Sequence, residues 1–138
     1  MTTVSSDSLV FLDGVSEPSP DVVRFSAADL SEAQSRYATL KAEHPGARVV
    51  VDIDVHIAAD ARTARREVLA SDSKPRPGTL QYVGTASGLA GLVADIVTVD
   101  VADGVTLRPV VEQTRESVVR AITTEVVPAL EVRRLRAS

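Results

Sequence analysis

The stretch Tyr82–Pro109, YVGTASGLAGLVADIVTVDVADGVTLRP, constrains this chain more than any other. A short apolar run ends at Gly84, and Thr85 follows with a hydroxyl suited to cap a helix. Leu89, Leu92, Val93, Ile96 and Val97 then recur at helical spacing. Asp103-Gly104 must stop that helix, and Val105-Thr106-Leu107 reads as a strand closed by Pro109. A helix held between two strands is the building block of parallel α/β folds.

The flanking sequence repeats that logic. Leu9–Leu12 is a continuous apolar run bounded by Asp13-Gly14, as in a strand buried on both faces. Val15–Asp21, with Pro18 and Pro20, reads as loop, and Met1–Asp7 as a frayed start. Ser26, three residues before Asp29, predicts a capped helix running to about His44, with Leu30, Ala33, Tyr37 and Leu40 as its stripe. Pro45-Gly46 ends it. Arg48–Ile57 is the clearest strand: Val51, Ile53, Val55 and Ile57 share one face, and Val50, Asp52, Asp54 and His56 the other. Asp60 predicts a second helix over Ala61–Leu69, with Ala64, Val68 and Leu69 inward. Ser71–Gly78 reads as loop and Leu80–Val83 as a short strand. Thr114 predicts the cap of a last helix with Val118, Val119, Ile122, Val126, Leu130 and Val132 as its stripe, kinked or restarted at Pro128. Arg133, Arg134 and Arg136 sit where a helix dipole favours cations.

Alternation of strands and helices implies one α/β domain over residues 1–138, with a parallel sheet of four strands or fewer and about four helices. Composition narrows the function classes. A net charge of -4 argues against nucleic-acid binding, and the 3% of aromatic residues leave few rings for stacking. With no cysteine there is neither disulfide, thiol nucleophile nor thiolate metal site. No apolar run reaches the ~20 residues of a membrane span, and MTTVSSDS is no signal peptide, so a cytoplasmic protein is expected.

Asp52, Asp54 and His56 are the most chemical-looking set. Spacing of two puts their side chains on one strand face, ~6–7 Å apart. Two carboxylates and an imidazole could hold a divalent cation or share a proton, which would suit a metal-dependent hydrolase. They could equally line a strand and pair with arginines, and no metal motif accompanies them. Arg108 sits at a strand end, where barrels place function, and could meet an anion or a structural carboxylate. His44 suits a helix C-terminus. Gly84–Gly88 resembles a phosphate-cradling turn but lacks both glycine-rich fingerprints, and capping by Thr85 explains it.

Several of these pieces, in order, resemble the C-terminal part of the bacterial luciferase-like family of flavin-dependent monooxygenases. They are Tyr82-Val83-Gly84-Thr85, Leu89–Ile96, Asp103–Pro109 and Val126–Leu130 followed by Arg133 and Arg134, with Val49–Asp60 upstream. Val105 stands where the family has phenylalanine. Thr98–Val101 replaces its alanine-glycine turn, so Asp100 would have to adopt a left-handed conformation. The resemblance implies about half of a (β/α)8 TIM barrel, with an open inner face and apolar strand edges. It implies FMN or a related deazaflavin, but the family's flavin-phosphate segment lies upstream of the matched part, so no cofactor-binding residue can be placed. The expectation is a family member not catalytically complete alone, needing self-association into a homo-oligomer or a second chain that completes the barrel. A non-catalytic, oligomeric or partner-binding scaffold is the alternative.

Overall fold

The computed structural model describes residues 9–13, 21–72 and 76–137, with side chains as far as Arg133. The expected frayed start, most of the Pro18–Pro20 loop, Lys74, Pro75 and the side chains of Arg134 and Arg136 lie outside the described residues.

The fold is built around one strand. Six of the ten residues of β3 (Arg48–Ile57) are Val or Ile, which suit a pleated surface buried on both sides. It occupies the middle of a parallel sheet. Along one edge it pairs with β5 (Gly104–Pro109), from Val50↔Gly104 to Val55↔Pro109. Two short strands share its other edge. β2 (Val22–Phe25) covers Arg48–Val51, and β4 (Leu80–Gly84) covers Ile53–Ile57. β1 (Val10–Leu12) pairs with β5 beyond. The path is therefore β1-β5-β3-β2, with β4 beside the second half of β3. The first and last described strands are neighbours, and the path stays open with β1 and β2 at its ends. The chain has an α/β fold consistent with part of a (β/α)8 barrel.

β2 corrects the expectation of four strands or fewer. Four residues behind a proline-rich loop are too few for alternation to register, so Val22-Val23-Arg24-Phe25 is visible as a strand only beside β3.

Two of the helices, α1 (Leu30–Glu43) and α3 (Ala86–Thr98), pack on one face of the sheet. α1 joins β2 to β3, and α3 joins β4 to β5. Ala33 of α1 and Leu89, Ala90, Val93 and Ile96 of α3 pack on Val49, Val51, Ile53, Val55 and Ile57 of β3 and on Val105 and Leu107 of β5. Each such Val, Leu or Ile contributes about 1.5–3 kcal/mol when fully buried. The cap of α1 is Asp29 and not Ser26: its carboxylate accepts from the Glu32 N–H at 2.8 Å, and Glu32 reaches back to the Ala28 N–H at 2.8 Å. The four-atom reach of Glu, absent at Asp29, is what lets the box close one turn later than the sequence suggests. Thr85 caps α3 as expected, accepting from the Gly88 N–H at 3.1 Å. Asp100 leaves α3 with φ 59°, the left-handed conformation that the missing glycine demands.

The last helical stretch runs as α4 (Arg115–Ala121), a π turn over Ile122–Val126, and α5 (Val127–Ala137). A 3-10 turn over Glu112–Thr114 precedes it. Thr114 is the N-cap residue of α4, as expected, but its hydroxyl makes no capping bond to the helix and donates back to the Val111 carbonyl at 3.5 Å. Val118, Ile122, Val126 and Leu130 are all buried, at strict steps of four. In a regular helix such steps drift by about 40° each, and a wider turn takes up the drift. Pro128 has no N–H for the Thr124 carbonyl, and the preceding Val127 N–H bonds to Ile122 across the π turn. The kink expected at Pro128 is thus a π turn ahead of it. Val132 is half-exposed and leaves the stripe, as does Leu69 of α2 (Ala61–Ala70), which is 86% exposed.

Asp103 ties the N-terminal ends of β3 and β5 to α1. Its carboxylate accepts from the Tyr37 hydroxyl at 2.7 Å, the Lys41 ammonium at 2.8 Å and the Val49 N–H at 2.9 Å. Burial opposes its charge, but these three bonds together hold its carboxyl below the usual carboxylate range. Burial, and then the bond to Asp103, push the Tyr37 phenol up to about 12. Among the described residues, no helix is long and apolar enough to cross a membrane.

Candidate functional site

The face of the sheet opposite the helical core carries all four residues singled out from the sequence. Strand alternation puts Asp52, Asp54 and His56 there, and the register sets Thr106 beside Asp52 and Arg108 beside Asp54. Phe11 of β1 pairs with Thr106, and Arg24 of β2 with Val50, so both project to the same face.

Asp54 is the centre of the group, with a side chain only 1% exposed between two arginines. Arg108 grips it side-on, Nε to Oδ1 and Nη2 to Oδ2, both at 3.0 Å. Arg76 grips it from the other side, Nη2 to Oδ1 at 2.7 Å and Nε to Oδ2 at 3.2 Å, and adds its backbone N–H at 3.3 Å. Burial works against the charge of Asp54, but the hydrogen bonds from Arg76 and Arg108 prevail and hold its carboxyl below the usual range. The bond to Asp54 likewise raises the Arg76 guanidinium.

Asp52 has a different partner. Arg24 donates Nε to its Oδ1 at 3.0 Å and Nη1 to Asp13 at 3.3 Å. His56 is fully buried, and its Nε2 meets Glu67 of α2 at 2.8 Å. That contact places α2 over the polar face, away from the helices of the core. The His56 Nδ1 and the Thr106 hydroxyl are buried with no hydrogen-bond partner among the described residues.

The expected trio therefore shares a face without sharing a ligand. Asp52, Asp54 and His56 each turn to a separate partner, and among the described residues no three carboxylate or imidazole groups are gathered to hold a metal ion. Nor is the inner face open, as a half-barrel would leave it. Phe11, Val50, Asp52, Asp54, His56 and Thr106 are all buried. Arg24, Arg76 and Arg108 cross over the carboxylates, and α2 covers the His56 end. Among the described residues, three arginines pair with Asp13, Asp52 and Asp54 in this group. A carboxylate with every lone pair engaged by guanidinium is also poorly placed to take up a proton.

The sequence reading missed Arg24, Arg76 and Glu67. Recognising β2 would have put Arg24 on the polar face. No local pattern marks the other two, which reach β3 from a helix and a loop.

At the C-terminal ends of β3 and β4 lies a cavity of about 620 Å3 lined by residues including Ala58, Thr85, Ser87 and Glu125. The N-terminus of α3 borders it, as a phosphate cradle would require. Glu125 among its walls sets a negative charge against an anion. Gly84 and Gly88 have a packing role there: a Cβ on either would collide with the Tyr82 ring, whose hydroxyl donates to the Thr85 carbonyl at 2.9 Å. His44 occupies the exposed C-cap of α1, as its position implied.

No family model matches the sequence, and no curated protein matches it. Among solved structures, EDTA monooxygenase from Chelativorans sp. BNC1 is similar, with a TM-score of 0.63 at 11% sequence identity. The match covers 82% of this chain and 42% of that one, so the chain spans less than half the length of this relative. Identity that low carries fold alone. The chain shares its fold with part of that structure.

Proposed function

We propose that the chain is a member of the luciferase-like flavoprotein oxidoreductases whose described part supplies an arc of the barrel and not a catalytic centre. The observation that carries this reading is the saturation of Asp54. In this parallel sheet, the acid best placed for chemistry is bound on both sides by Arg76 and Arg108. The fold likeness and the ordered motifs from Tyr82 to Arg133 support the family. Flavin chemistry, with FMN or a deazaflavin accepting and donating electrons, would rest on residues beyond this arc. Those residues would come from whatever completes the barrel, a second copy or another chain included. The test is an absorbance scan and FMN titration of the purified protein, alone and with any partner that co-purifies. Flavin binding by the completed assembly supports the reading, and its absence from every assembly overturns it.

The same face favours a second reading, a scaffold that kept the barrel arc and lost the site. The buried interior, closed by its own ion pairs, supports it. Under this reading the chain forms a stable oligomer without cofactor. Substitution of Asp52, Asp54 or His56 then changes stability or assembly, and a loss of turnover without either effect would exclude it.

A further inference from the structure

We draw no further inference here: the strongest candidate, the groove of about 670 Å3 between β2 and α1 lined by Arg24, Phe25, Ser26, Arg36 and Leu40, has nothing in the structure to show what covers it.

Discussion

Replacing Asp54 by Asn keeps the shape of the side chain and removes its charge, which isolates what the two arginines contribute. Five hydrogen bonds converge on the carboxylate, from the Arg76 and Arg108 guanidinium groups and the Arg76 backbone. The amide presents donors where the guanidiniums also present donors, so about half of these contacts are lost. Stranding a buried charge costs about 3–5 kcal/mol. Here the charges left behind are those of Arg76 and Arg108, 42% and 28% exposed, which can turn toward water. An exposed pair is worth about 1 kcal/mol or less. Asp54→Asn should fall between these limits, at about 2 kcal/mol, or roughly 6–10 °C in melting temperature for a chain of this size. Urea and thermal unfolding followed by circular dichroism at pH 7 would measure it.

The pH dependence carries a sign. The folded pKa of Asp54 lies below the unfolded one, so its stabilisation is complete above the unfolded value near 4 and disappears as pH falls through the folded value. The gap between wild type and Asp54→Asn should close in that acid range. An Asp54→Asn protein as stable as wild type at pH 7, or a gap that persists unchanged into strong acid, would show that the carboxylate is not held by its arginines.

Asp103→Ala should cost about 2–3 kcal/mol, because the buried Val49 N–H loses its side-chain acceptor together with Tyr37 and Lys41. In the same variant one of the two tyrosines should ionise at lower pH, toward the usual value, in an ultraviolet absorbance titration. Gly104→Ala would place a Cβ 2.8 Å from the Leu9 carbonyl oxygen, a backbone atom that already accepts from the Val105 N–H. A loss of about 1–3 kcal/mol is expected as β1 is pushed off β5, with faster amide exchange at Val105 as its signature. Thr85→Ala should cost about 1 kcal/mol from loss of the α3 cap, and a neutral result in chemical denaturation would remove the capping role.

What could be read from the sequence was local. β3 was legible because Val51–Ile57 alternates strictly and the β-branched run from Val49 extends it, and the caps at Asp60 and Thr85 because one side chain suffices to start a helix. The left-handed turn at Asp100 followed from a residue that glycine would have replaced at lower cost. β2 was hidden by its four-residue length, and the π turn by steps of four that pass for an ordinary stripe. The site was half legible. Alternation put Asp52, Asp54 and His56 on one face, but their partners are set by tertiary register: Arg108 lies 54 positions from Asp54, and Arg24 lies 28 from Asp52. Asp103 read as a turn residue because none of its three donors is near it in sequence.

That the described arc fills its polar interior with its own ion pairs, and so leaves no room there for a flavin, can be tested by one titration. FMN fluorescence is followed as the purified chain is added, with light-scattering mass recorded on the same sample. The chain by itself should leave the fluorescence unquenched, with binding appearing only in an assembly that completes the barrel. Saturable one-to-one binding by the lone chain, abolished by Arg108→Ala, would place a flavin on the face where Arg76, Arg108 and Asp54 pair, and would contradict its closure by those ion pairs.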